Sequence, residues 1–152
     1  MLKLNKMTDY AIVCLGILSK KPNTFVTAHE ISQESGISLT AIQKILKLLA
    51  KKSNVLLTLQ GSLGGYKLVV SPSSISITSV IEMIDGPIIL TSCVEGADQK
   101  CECSNICLLE GNWNKVNKII VETLSNISVA DLLAPDKLIN FEKNKNHLQN
   151  VF

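Results

Sequence analysis

The sequence predicts a mainly α fold with a small β-hairpin wing, a winged helix-turn-helix continued by a long dimerisation helix. Three observations carry that expectation. Two cappable helices meet at a glycine turn, a glycine-rich hairpin follows directly, and a later stretch repeats apolar residues at helical spacing. At 152 residues the chain makes one compact domain or two small lobes. With 46% hydrophobic and 18% charged residues it has ample material for a core, which excludes a wholly disordered chain.

From 9 to 18 the sequence is apolar almost all round, as in a helix buried on most sides. Thr8 or Asp9 can cap its start, and Lys20-Lys21-Pro22-Asn23 ends it. Thr27-Ala28-His29-Glu30 matches a capping box and opens a short helix that stops at Gly36. Ser38 can then cap a third helix running to about residue 52. Two runs rich in Val, Leu and Thr, 55–60 and 66–70, flank Gly61-Ser62-Leu63-Gly64-Gly65 and predict a hairpin, which Pro72 closes. Ser76 caps a fourth helix that stops at Gly86-Pro87.

A long amphipathic helix is expected over 108–127. At about 100° per residue, Leu109, Trp113, Val116, Ile120, Leu124 and Ile127 share one arc of about 80°. So long a stripe needs a partner, and a second copy of the chain is the simplest one. Ser128 can cap a last turn over 129–133 before Pro135, and the Lys/Asn-rich tail is expected to be loosely ordered. The expected organisation is a winged helix-turn-helix over 1–72 and a connecting helix with a cysteine-rich loop over 73–107. The long helix and final turn follow over 108–134, and a polar tail over 135–152.

Net charge is only +2, but it is unevenly spread. Residues 1–70 carry nine lysines against three acids, and residues 71–152 carry six lysines against ten. A basic half joined to an acidic half points to a polyanion for the first and a different task for the second. The longest apolar run, 11–15, falls far short of the roughly 20 residues that span a bilayer. No apolar leader opens the sequence, so a cytoplasmic protein without a membrane partner is expected.

On the third helix Thr40, Gln43, Lys44, Lys47 and Lys51 share a face about 100° wide, with Ile42, Ile45, Leu46 and Leu49 on the opposite side. That mixture suits a DNA major groove, where Gln pairs with adenine, Lys with guanine, and lysines farther along meet phosphates. A charged face on an isolated helix is ordinarily just solvated. Its place between a capped helix and a glycine-rich hairpin favours double-stranded DNA. Ser38 on the helix side, and Gln60, Gly61, Gly64, Gly65 and Lys67 in the wing, complete the candidate DNA-contacting set. The glycines also serve the turn itself by permitting positive φ. His29 is expected on the surface of the second helix rather than as a ligand.

Cysteines stand at 14, 93, 101, 103 and 107, the last four within fifteen residues. In a reducing compartment such a cluster marks a metal site rather than a disulfide framework. Thiolates are soft ligands for iron–sulfur clusters, zinc or copper(I). The pattern Cys93-x7-Cys101-x-Cys103-x3-Cys107 lacks the paired CxxC knuckles of a zinc ribbon, whereas iron–sulfur clusters accept varied spacings. A structural zinc and a thiol redox enzyme are the rival readings. The enzyme has little support, because no CxxC occurs and His29 and His147 are the only imidazoles. Cys14, inside the apolar first helix, is expected in the core.

Lys6-Met7-Thr8-Asp9-Tyr10-Ala11, the helix-turn-helix, Gly61-x-x-Gly64-Gly65-Tyr66, the Ile75-Ser76 helix ending in Asp85-Gly86, and the cysteine loop together resemble the winged-helix iron–sulfur regulators typified by IscR and NsrR. Leu90-Thr91-x-Cys93-Val94-Glu95-Gly96 and Gly111-Asn112-Trp113-x-x-Val116-Asn117 look most like the branch that regulates SUF iron–sulfur assembly genes. The likeness covers about residues 1–134. It implies a homodimeric transcriptional regulator, not an enzyme, whose long helix crosses its mate and whose signal is cluster status, with nitric oxide or redox as the alternative. It also implies an iron–sulfur cluster, 2Fe–2S favoured and 4Fe–4S possible, on Cys93, Cys101 and Cys107. Cys103 is an alternative ligand, either the fourth or a substitute for Cys101. The partner subunit's Asp9 could complete the site, although an acid at a helix start is favoured there regardless. Gln60 stands where the family often has an arginine suited to a narrow minor groove, so the wing adds no charge at that point.

Overall fold

Asn5 starts the first helix. Its side chain accepts the Met7 N–H at 3.1 Å, so α1 (Lys6–Ser19) begins before the expected position and neither Thr8 nor Asp9 is the cap. Thr8 has turned inward instead: it is fully buried, and its hydroxyl donates to Asp85 Oδ2 at 2.7 Å. The computed structural model describes residues 4–52, 54–61, 64–98, 107, 109 and 111–134. Cys101, Cys103 and the polar tail lie outside them.

The capping box forms as expected. The Glu30 N–H donates to Thr27 Oγ1 at 3.1 Å and the Thr27 N–H to Glu30 Oε2 at 2.7 Å, opening α2 (Ala28–Ser35). These Thr27 donors hold the Glu30 carboxyl below the usual carboxylate range. Gly36 ends α2 at φ 71°, a left-handed conformation that glycine adopts without a Cβ clash. Ser32 Oγ donates to the Ile37 carbonyl at 2.6 Å, fixing the turn into α3 (Leu39–Lys52). The Ser38 carbonyl accepts the Ile42 N–H at 3.1 Å, the first bond of that helix.

Strands β1 (Leu56–Leu59) and β2 (Gly65–Leu68) pair antiparallel, with Leu56 opposite Leu68 and Leu59 opposite Gly65. Ser71 caps a short 3-10 turn, Pro72–Ser74, and Ser76 caps α4 (Ile77–Ile84) through the Ser79 N–H at 3.1 Å. The long helix, α5 (Asn112–Ser125), is shorter than the periodicity implied. Gly111, at φ 72°, turns the chain just before it, so Leu109 lies in a turn and Ile127 lies past the end. Ser128 and Asp131 form a second capping box that opens α6 (Val129–Leu133).

Helix α1 is the hub of the packing, touching α2, α3, α4, α6 and β2. Ala11, Cys14, Leu15 and Leu18 meet Ile31, Ile42, Ile45, Leu46 and Leu49 in one core that extends to Ile77, Val80 and Val129. Each such fully buried Leu or Ile contributes about 1.5–3 kcal/mol. Cys14 belongs to this core; burial pushes its thiol up to about 12, so it stays protonated at neutral pH. Helix α6 can close on α1 because residue 16 is glycine: a Cβ there would lie 2.8 Å from Leu133 Cδ2. The start of α4 is sewn to the α5–α6 link by two bonds of 2.8 Å, from the Ile77 N–H to the Ile127 carbonyl and from the Val129 N–H to the Ile75 carbonyl. Among the described residues no helix is long and apolar enough to cross a membrane.

Candidate functional site

The two faces of α3 separate as the spacing requires. Ile42, Ile45, Leu46 and Leu49 are fully buried, while Thr40, Gln43, Lys44, Lys47 and Lys51 are all exposed. Ser38, just ahead of the helix, is exposed too. Among the described residues, Lys44, Lys47 and Lys51 have no ion-pair partner, whereas Lys21 is held 2.8 Å from Glu34 at the other end of α2. Three ammonium groups therefore stand on one solvent-facing strip of a helix whose opposite side is locked in the core. Such a strip can present positive charge to a polyanion without moving the fold.

The wing is fastened by a contact that sequence reading missed. Val26, between α1 and α2, pairs with Tyr66: the Val26 N–H donates to the Tyr66 carbonyl and the Tyr66 N–H to the Val26 carbonyl, each at 2.9 Å. Gly65 is buried here, and a Cβ on it would come within 2.7 Å of the Val26 carbonyl oxygen. Its missing side chain thus makes room for backbone. Gly64 is packed likewise, against the Leu59 and Gly61 carbonyl oxygens. Gln60 and Gly61, at the hairpin tip, are exposed. Lys67 is half-buried, its ammonium 5.2 Å from the centroid of the Phe25 ring, so a cation–π contact holds it close to the body. A β-prone Phe25-Val26 pair in an otherwise turn-like linker was the one available hint.

Cys93 and Cys107 are both partly exposed, unlike the buried Cys14. They stand at the two ends of the cysteine-rich stretch that precedes α5 in the sequence. The segment before and around Cys93 is held to that helix by two asparagines. Asn117, a buried polar residue, accepts the Leu90 N–H at 3.0 Å and donates to the Ile88 carbonyl at 2.9 Å. Asn114 accepts the Glu95 N–H at 2.9 Å. The sequence names Asn117 only within the Gly111-Asn112-Trp113-x-x-Val116-Asn117 resemblance, at the edge of the apolar stripe and with no role given, and it does not mark Asn114 at all. Among the described residues no group of three or more potential metal ligands comes together, and two of the four loop cysteines lie outside that set.

The apolar side of α5, with Trp113, Val116, Ile120 and Leu124, opens on a cleft whose far wall is Ile81, Ile88 and Leu90. Val116 remains exposed in it. Asp9 is exposed on the first turn of α1. Next to it, the Asp85 carboxylate gathers the start of that helix, accepting from Thr8 Oγ1 and, at 3.1 Å, from Asn5 Nδ2. The beginning of α1 is thereby tied to the end of α4, three residues before the Ile88 segment.

A winged helix-turn-helix with an exposed lysine strip defines a DNA-binding protein. The chain belongs to the Rrf2 family, described as iron-dependent transcriptional regulators, which it matches over residues 4–135. It is accordingly a regulator of transcription and not an enzyme. It is similar to the HTH-type transcriptional regulator IscR of Vibrio vulnificus, 27% identical over 139 residues that cover 91% of this chain and 81% of the relative. The HTH-type transcriptional regulator NsrR of Bacillus licheniformis is 29% identical over 133 residues, covering 87% of this chain and 92% of that one. In three dimensions it resembles CymR, the global cysteine regulator of B. subtilis, with a TM-score of 0.64 at 22% identity, covering 88% of this chain and 97% of that chain. That last likeness bears on the fold alone.

Proposed function

We propose that this chain is a homodimeric regulator that senses iron–sulfur status and alters its hold on a promoter, with SUF assembly genes as its target. The observation that supports it most is the union of a lysine-bearing recognition helix with a thiol loop strapped to α5 beside an open apolar cleft. Thiols that are partly exposed and grouped within fifteen residues are the right donor chemistry for iron, and the buried Cys14 is not. Cys93, Cys101 and Cys107 would hold the cluster, with Cys103 as alternative ligand and the partner subunit's Asp9 completing the set. When bound, a 2Fe–2S cluster supplies a link between thiolates that is sensitive to oxidation and to iron supply.

The remaining steps belong to the chain's own residues. Helix α5 packs its Trp113–Val116–Ile120–Leu124 side on a second copy, setting two winged helices about 34 Å apart on successive major grooves. Gln43 reads base edges, Lys44, Lys47 and Lys51 meet phosphates, and the Ser38 and Thr40 hydroxyls lie where the α3 N-terminus favours a phosphate. Gln60, Gly61 and Gly64 approach the minor groove, with Lys67 and Gly65 holding the wing's base. Lys44→Ala and Lys47→Ala are each expected to weaken binding to a SUF promoter fragment and to flatten the plot of log affinity against log salt by about one unit of slope. Titrations at several salt concentrations check this; unchanged slopes in both variants remove the assigned roles.

The reading as a whole is tested by anaerobic purification from iron-replete cells, with a visible spectrum, iron and sulfide counts, and the oligomeric state in solution. A coloured dimer with matched iron and sulfide supports it. A colourless zinc protein favours the structural-metal alternative, and a colourless monomer ends it.

A further inference from the structure

Cys93 lies between two side-chain straps from one helix. Leu90, three residues before it, gives its N–H to Asn117, and Glu95, two residues after it, gives its N–H to Asn114. Asn114 and Asn117 are i and i+3, so both reach from the same side of α5. A primary amide can serve one N–H and one C=O at once, and Asn117 does so with Leu90 and Ile88, as a strand neighbour would. Between the straps the chain is locally closed: the Val94 N–H donates to the Thr91 carbonyl at 3.1 Å and the Cys93 N–H to Thr91 Oγ1 at 3.3 Å. Val94 is buried beside them.

The other half of α5 is anchored elsewhere. Thr78 of α4 donates to the Val121 carbonyl at 3.1 Å and accepts from Ser125 Oγ at 3.0 Å. One end of the helix is therefore tied to the helical core and the other to the cysteine loop. A shift of the backbone around Cys93 must either break the asparagine bonds or carry α5 with it, because packed elements pass displacements on rather than absorb them.

We propose that Asn114 and Asn117 are positioning residues for the Cys93 thiol, fixing it against α5 so that the occupancy of the loop is felt by that helix. What the thiol holds rests on the iron–sulfur reading above; the strap itself does not. Groups that orient a ligand from behind commonly change metal affinity by about 10–100-fold when removed.

The test uses the full chain, reconstituted without oxygen with ferrous iron and sulfide, then challenged with excess chelator while the colour is followed. Asn114 is partly exposed, so N114A folds normally; its colour is expected to fade about tenfold faster than that of the unsubstituted protein. N114D keeps the oxygen that accepts from Glu95 and restores the slow rate, an outcome a general loosening would not give. N117L, which removes both bonds of the second strap, fades at least as fast as N114A. In cluster-free protein, amide exchange at Glu95 quickens in N114A and at Leu90 in N117L. Wild-type fading and exchange rates in N114A, or failure of N114D to rescue, overturn the proposal. If the unsubstituted chain takes up no chromophore while the exchange rates respond as stated, the strap stands and the iron–sulfur reading falls.

Discussion

Replacing Cys107 with alanine is expected to abolish the visible absorption and iron content of anaerobically purified protein while leaving its helical circular dichroism and melting temperature close to wild type. The two effects separate because Cys107 is partly exposed and lies outside the core. Removing a thiolate ligand subtracts both charge and a bond from the site, whereas removing a surface thiol costs the fold little. Cys14→Ala is the internal control. It lies in the core, so it should lower stability and keep a full complement of iron and sulfide. Persistent colour with full iron in Cys107→Ala removes that residue from the ligand set.

Gly65→Ala should damage the wing more than any substitution at its tip. The added methyl would meet the Val26 carbonyl oxygen at 2.7 Å and its carbon at 2.9 Å, both backbone atoms that cannot rotate away. Relief requires parting Val26 from Tyr66, which loses two hydrogen bonds of 2.9 Å. At about 1 kcal/mol for each bond, with about 1–3 kcal/mol of overpacking, the loss is roughly 3–5 kcal/mol. A lowered urea midpoint would register it, together with weaker promoter binding and unchanged cluster colour. A midpoint equal to wild type would mean that the Val26 pairing does not hold the wing.

Much of this architecture is legible in the sequence because its signals are local. The Thr27–Glu30 box, the Gly36 stop, the Ser76 and Ser128 caps and the two-sided α3 each need only neighbours a few positions away. The start of α1 was misjudged for the opposite reason. Thr8 looks like a cap in sequence, but its hydroxyl is spent on Asp85, 77 positions along the chain. Helix α5 was overextended because periodicity counts apolar residues without asking what Gly111 does, and at φ 72° it halts the helix. The straps on Cys93 and the Val26–Tyr66 pairing are only faintly marked, by Asn117 and by the Phe25-Val26 pair, because backbone partners leave almost no mark on residue type. The four clustered cysteines suggest a thiol site by composition alone, but which of them would bind, and with what fourth ligand, depends on geometry that spacing does not encode.

The stitching of α4 to the α5–α6 link has a practical corollary. Val129 fills the same interior as Leu15 and Ile45, and Leu133 lies against Gly16, so the reading head carries material from the far end of the described chain inside it. A chimera that grafts this head onto a foreign sensor would have to bring residues up to 133 along, or leave a hole in its own foundation.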